Sequence, residues 1–304
     1  MEMPPVSRLA IAFVIAAYMA RSGVKKKSLS RTGAVAAFAV GFFSLASGLR
    51  FGAVLIVFYK TSSLLTKWRG GVKATLEDGH RTGGQRGAEQ VFACSLYAVA
   101  VAVWFGTRGG DCALGHDRTS TFWHLNILGF FACCAGDTWA SEVGIALGLR
   151  VGGTALDDRP RLVVPPFPLV PRGTNGAVSF GGTIASALGG LSIGVVYAGM
   201  GALTVQGETR AVVPAQLLVG VFGGVVGSFI DSLLGATLQA NTFDPARKVV
   251  LNSGSDDGAG RVSGSSLLHI AGRDILSNEQ VNIVSSIATA LLCGWLGTNS
   301  FFAF

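Results

Sequence analysis

The sequence predicts an all-α integral membrane protein, a polytopic bundle of about eight transmembrane helices with glycine-rich packing. Three observations predict it. Mean hydropathy is +0.51 over 304 residues. Only 13% of residues are charged, about half the share of a soluble domain. The 43 glycines are spread through apolar runs with no collagen-like period, and small residues let membrane helices approach closely.

A helical span needs about 20 apolar residues. Eight segments qualify as candidates: 6–20, 32–49, 51–65, 88–106, 121–149, 177–203, 211–238 and 281–304. The first and third are short for a full crossing. The first is followed at once by "RSGVKKKSLSR", which reads as a cytoplasmic stop and makes the segment a retained anchor rather than a cleaved signal.

Basic residues in alternate loops set the orientation. The loops after spans one, three, five and seven carry 18 Lys and Arg, and the other side carries 5. Both termini are therefore expected on the non-cytoplasmic side of a single multipass domain, 1–304. Residues 239–280 form its one long cytoplasmic loop, including the Gly- and Ser-rich "LNSGSDDGAGRVSGSS", which reads as flexible.

The net charge of +7 is explained by these loops, and the apolar background excludes a nucleic-acid binder. The five cysteines show no CxxC and no zinc spacing, and they read as small buried thiols. The four histidines show no ligand spacing, so no function is expected of them.

Every conspicuous polar cluster falls on the cytoplasmic half of its span, and no comparable group is expected on the opposite side. In "KTSSLLTK" (60–67), Lys60, Ser63 and Lys67 share a helical face. "GGQR" (83–86) ends in Arg86. Arg172, Gly173, Thr174, Asn175 and Gly176 open span six, and Asn278, Gln280 and Asn282 begin span eight.

The acids are the sharpest signal. At the rise of an α-helix, Glu142 lies about 12 Å and Asp137 about 20 Å inside the end of span five, with Asp231 about 10 Å inside span seven. A charge at the bilayer centre costs at least ~2.5–3.5 kcal/mol, so these acids need partners, a metal ion or a wet cavity. Asp137 and Glu142 are about 140° apart on a regular helix. They share an ion only if the helix is irregular near Gly136 and Gly144. In span seven, Gly224, Gly227, Ser228, Asp231, Ser232 and Gly235 form a narrow small and polar stripe, suited to close packing or to lining a cleft.

Glycines before a helix start suit an anion. Carboxylates for Mg²⁺, basic donors and a helix N-terminus are the parts of phosphoryl transfer, and apolar walls suit a lipid tail. Blander readings stand beside this one. Asp137 or Asp231 pairs with Lys60 as glue, residues 172–176 form only a helix cap, or the acids mark an ion path.

These residues also carry a family resemblance. "GVKKKSLSRTGA", "TSSLLTKWRGGVK", "GGQR", "AGDTWASEVG", "GTNG", "GSFIDSLLGATLQ" and "GRDILSNEQVNIVSS" run in order along nearly the whole chain. They resemble the transmembrane protein 19 family. That family includes a chloroplast phytyl-phosphate kinase and a plant glucose-responsive membrane protein. The resemblance implies a multipass membrane protein and, in the phytyl-phosphate branch, a kinase that converts an isoprenoid monophosphate to its diphosphate with a nucleoside triphosphate such as CTP. It carries over Asp137, Glu142, Asn175 and Asp231, with Lys60, Lys67 and Arg86 beside them. No Ser/Arg-rich transit segment precedes the first span, so a chloroplast address is not expected.

The expectation is a cytoplasm-facing intramembrane cleft. Asp137, Glu142 and Asp231 act as catalytic metal ligands for Mg²⁺ on CTP or ATP. Arg172, Gly173, Thr174, Asn175 and Gly176 hold phosphate, with Lys60, Lys67 and Arg86 as further donors. The partners are an isoprenoid lipid phosphate, the nucleotide and the bilayer, and a homo-oligomer is left open. The competing class is a transporter or regulatory membrane protein that uses the same acids for ions.

Overall fold

The structure is a computed structural model. It describes residues 5–68, 85–108, 111–146, 150–151, 154–155, 159–246, 248–252 and 267–302. Gly83, Gly84 and residues 253–266 of the Gly/Ser-rich loop lie outside the described residues.

Among the described residues each candidate span contains helix. The helices are α1 (Pro5–Lys25), α2 (Arg31–Ser47), α3 (Leu49–Trp68), α4 (Ala88–Ala93), α5 (Leu96–Gly106), α6 (Arg118–Ala146), α7 (Phe180–Thr204), α8 (Val213–Leu238) and α9 (Asn278–Phe301). Five of them, α1, α3, α7, α8 and α9, are long and apolar enough to cross a membrane; α2 and α5 are shorter apolar helices. Large apolar side chains such as Phe13, Val35, Leu188, Leu203 and Trp295 are exposed and lie outside the cavity wall, as contact with lipid requires.

The fourth span departs from the single helix expected. It breaks at Cys94 and Ser95 into α4 and α5. The Ser95 hydroxyl donates to the Val91 carbonyl at 2.6 Å, a local bond that competes with the helix ladder. Both residues at the break line the central cavity, where non-helical backbone is tolerated inside a membrane protein.

Helices α6, α7, α8 and α9 pack as the core unit, while α1 lies on α2, and α3 lies against α6 and α7. Missing side chains make the core crossings close. A Cβ on Gly190 of α7 would stand 2.1 Å from the Gly220 carbonyl oxygen of α8, and one on Gly136 of α6 would stand 2.6 Å from Gly224 of α8. Gly136 therefore serves packing. It does not unwind α6, which runs unbroken to Ala146.

Strands decorate the end of the bundle rich in Lys and Arg, here the basic end. Arg150–Val151 (β1) pairs with Thr154–Ala155 (β2), and Arg161–Leu162 (β3) pairs with Ala177–Val178 (β4), both antiparallel. The described residues of 239–280 include three strands, which flank that Gly/Ser-rich segment on either side. Asn241–Asp244 (β5), Val249–Asn252 (β6) and Leu268–Ala271 (β7) form a three-stranded antiparallel sheet, order β6-β5-β7. Ser277 then caps α9 in a capping box with Gln280, so Gln280 of the polar trio at this helix start is a cap partner.

The opposite end holds a charged network, contrary to the expectation of no polar group there. Arg50, at the start of α3, is fully buried. Its Nε donates to Asp111 Oδ1 at 3.1 Å, and its Nη2 to Asp111 and to the Cys112 carbonyl. Its Nη1 donates to Glu208 Oε1 at 3.1 Å. Glu208 also accepts from Gln216 Nε2 at 2.7 Å and from the Leu114 amide at 2.9 Å. The Tyr197 ring lies 4.8 Å from the guanidinium, and its hydroxyl meets His124 Nδ1 at 2.7 Å. His124 thus belongs to a buried network, and every charge in it has a partner, as buried charges require.

Candidate functional site

A cavity of about 800 Å³ opens within the bundle, and its polar side lies toward the basic end. Asp137 and Glu142 of α6 reach it together with Asp231 of α8. Arg86, Arg172, Gly173, Thr174, Asn175 and Gly176 also line it. The polar clusters read separately along the sequence therefore share one space.

Lys60 and Lys67 do not. Both are exposed on α3 and absent from the cavity wall. Lys67 Nζ donates to the Lys26 carbonyl at 2.8 Å. The shared helical face was read correctly, but it turns outward at both lysines. Ser62 and Thr66 line the cavity from α3, beside Leu55, Ile56, Phe58 and Tyr59.

Hydroxyl groups position two of the acids. Thr66 Oγ1 lies 2.7 Å from Glu142 Oε1 and 2.9 Å from the Ser62 carbonyl. Ser285 of α9 donates to Asp231 Oδ2 at 2.8 Å. Sequence reasoning missed both hydroxyls as site residues. The signal for Thr66 was present in "KTSSLLTK", but the lysines drew the assignment.

Arg86 is held by backbone as well as side chain. Its amide donates to the Ser28 carbonyl, and its carbonyl accepts from the Ser30 amide. A Cβ on Gly33 would stand 2.1 Å from the Arg86 carbonyl oxygen, so α2 presses directly on this strand-like pairing. Arg86 Nη1 donates to Ser63 Oγ at 2.8 Å.

Residues 173–176 are a turn and not the start of span six. Strand β4 intervenes, and α7 begins at Phe180, with Ser179 accepting from the Gly182 amide as its cap. Gly173 and Gly176 have φ of 91° and 81°, left-handed conformations that favour glycine. The turn docks on the end of α8. The Asn175 amide donates to Asn241 Oδ1 at 3.0 Å, and a Cβ on Gly176 would stand 2.3 Å from the Ala236 nitrogen. Anion binding by a free helix N-terminus at 173–176 is therefore withdrawn.

Among the described residues, two buried polar atoms in the wall lack partners, Ser62 Oγ and Asn175 Nδ2. Both can donate hydrogen bonds. Among the described residues the wall carries five acids, Glu89, Asp137, Glu142, Asp231 and Glu279, against Arg86 and Arg172. An anion entering alone meets net negative charge, whereas an anion with a cation fits. Among the described residues no three His, Cys, Asp or Glu side chains gather as a preformed metal site. Asp137, Glu142 and Asp231 share the cavity without forming a closed cage. That donor set suits Mg²⁺, which is bound through one or two carboxylates plus phosphate oxygens and water.

The profile of the family described as integral membrane protein DUF92 matches residues 14–290. The chain is similar to Protein PGR of Arabidopsis thaliana, at 34% identity over 96% of this chain and 97% of the relative. It is 28% identical to the uncharacterized membrane protein sll0875 of Synechocystis, over 70% and 73% of the two chains. With Protein VTE6, chloroplastic, of Arabidopsis thaliana it shares 24% identity, over 77% and 64%. No solved structure matches the chain.

Proposed function

The chain belongs to the DUF92 family of integral membrane proteins, and on that premise we propose that it is a kinase-like phosphotransferase for isoprenoid monophosphates. The donor is a nucleoside triphosphate, CTP or ATP, and the site faces the cytoplasm. One observation carries the reading. A single cavity joins acids and arginines at its basic end to an apolar wall on α1, α2 and α3, which suits a ligand with a phosphate head and a hydrocarbon tail.

Asp137, Glu142 and Asp231 would hold Mg²⁺, which when bound neutralises phosphate oxygens of the donor. Arg86 and Arg172 would orient the phosphates by charge-assisted hydrogen bonds. Asn175 Nδ2 and the Ser62 hydroxyl supply further donors. A phosphate monoester is largely ionised near neutral pH, with a second pKa of about 6. No side chain need then take a proton from the nucleophile, and positioning and charge neutralisation carry the rate.

The acid excess also favours a second reading, cation binding in a transporter or regulatory protein. The buried network around Arg50 argues against a continuous path out of the opposite end. Purified protein with prenyl monophosphates, each nucleoside triphosphate and Mg²⁺ separates the two. Diphosphate product that is lost in folded Asp137→Asn and Asp231→Asn supports the kinase. Full activity in both variants removes the acids from the site. Cation binding with no product for any donor or chain length favours the second reading.

A further inference from the structure

The cavity continues past its polar groups into an apolar arm, and one glycine stands where that arm could be blocked. Ala37, Val40, Gly41 and Leu45 of α2 line it, at a spacing that keeps them on one helical face. Ala16 of α1 and Leu55 of α3 complete the wall. From Thr66 beside Glu142 to Leu55, the arm runs about 16 Å along α3 at the rise of an α-helix. Leu45 is buried at its far end, and a Cβ on Gly52 would stand 2.3 Å from Leu45 Cδ2. The arm therefore ends on packed side chains, beside the helix start that carries Arg50.

Gly41 differs from its neighbouring glycines. A Cβ on Gly33 or Gly52 would come within 2.1 or 2.3 Å of another atom, so close packing requires those two. A Cβ on Gly41 would meet only Ala16, at 3.6 Å to its Cβ and 4.0 Å to its Cα, which is ordinary contact. Glycine inside a helix carries an entropic penalty, and helix packing does not explain it at position 41. What the missing side chain leaves is open bore.

We infer that Gly41 and Leu45 set the longest hydrocarbon tail the cavity accepts, Gly41 by leaving the arm open and Leu45 by closing it. The inference rests on the amphiphilic reading of the site under the proposed function. A leucine at 41 fills the arm from the side, and an alanine at 45 deepens it. The polar end is untouched by either change.

The test is equilibrium binding to the purified full-length chain in nanodiscs. The probes are geranyl, farnesyl, geranylgeranyl and phytyl monophosphates and the matching free alcohols. Gly41→Leu is expected to weaken geranylgeranyl and phytyl phosphate at least about tenfold while geranyl phosphate changes by less than about twofold. Leu45→Ala is expected to shift the preference toward longer tails, which keeps the inference testable if Gly41→Leu fails to fold. Phosphates that bind with no dependence on tail length in any variant overturn the tail inference and leave the kinase reading standing. Alcohols that bind as tightly as phosphates, with a length limit moved by residue 41, support the tail inference and count against a phosphate site. Absence of binding by every probe to the folded parent overturns both.

Discussion

Arg50 and Asp111, 61 residues apart in sequence, meet as a forked ion pair at the end of the bundle opposite the cavity's acids. Glu208 joins from a third segment. The start of α3 is thus tied to the α5–α6 loop and the α7–α8 loop at one buried guanidinium. The acid-lined end of the cavity and this closed, charge-balanced network lie at opposite ends of the same bundle.

Removing Arg50 should therefore destabilise the protein strongly. Arg50→Met leaves Asp111 and Glu208 buried without their cation, and breaking such a pair from one side costs about 3–5 kcal/mol. The unfolding temperature in detergent should fall sharply. A triple replacement that also changes Asp111 and Glu208 to leucine should recover part of the loss, because no unpaired charge remains. An Arg50→Met protein that unfolds at the parental temperature would remove the network as a clamp.

The turn before β4 makes a second stability prediction. Gly176→Ala forces a side chain into a left-handed backbone and against the Ala236 nitrogen. The expected loss is about 2–4 kcal/mol from strain and overpacking. Gly199→Ala is the control, since a Cβ there meets nothing within 4 Å. The first change should lower the unfolding temperature and the second should hold or raise it. Equal behaviour of the two would show that the turn does not need its glycine.

The helices and the shared acidic cavity were legible in the sequence for a physical reason. Apolar length marks a helix in a bilayer, and acids inside such lengths need a common wet space. What was not legible depends on direction and distance. Lys60 and Lys67 have the spacing of one face, but spacing does not say which way a face points. Residues 173–176 have the glycines of an anion site, yet Ser179 caps the helix and a strand lies between. Arg50, Asp111 and Glu208 are single charges in separate short segments, so nothing local announces that they meet. The break at Cys94 and Ser95 carries no Gly or Pro to mark it in the sequence.

Asp117 makes a pH prediction outside the spans. Its Oδ1 accepts from the Ser120 amide at 2.9 Å, and its Oδ2 from the Ser120 hydroxyl, which caps the start of α6. Those bonds favour the charged form and hold its pKa at about 2, below the ordinary carboxylate value of about 3.9. A depressed folded pKa means the contribution is fully present above about pH 4 and is lost as pH falls toward 2. The side chain is nearly half exposed, so solvent screens the charge and the effect is small. Asp117→Ala should lower stability at pH 7 by about 0.5–2 kcal/mol through the lost cap. The gap between parent and variant should narrow from pH 4.5 to pH 2.5. A gap that stays constant over that range would separate the cap from its charge.

The last prediction concerns the hydroxyl between Thr66 and Glu142. Thr66 has one proton and two neighbouring acceptors, the Glu142 carboxylate and the Ser62 carbonyl. Thr66→Val keeps the shape of the side chain and removes that proton and the oxygen. Glu142 then loses one hydrogen-bond donor that fixes its carboxylate. A hydrogen bond to a charged group contributes about 1.5–3 kcal/mol, so under the proposed kinase function kcat/KM for phosphoryl transfer should fall by about 10- to 100-fold. Thr66→Ser restores the hydroxyl and should restore most of the rate. Thr66 acts through Glu142 and not on the lipid tail, so the loss should be similar for geranyl and phytyl phosphates. A loss confined to long tails would instead mean that the valine had changed the shape of the arm. A loss that serine does not rescue would point to packing around α3 as the cause.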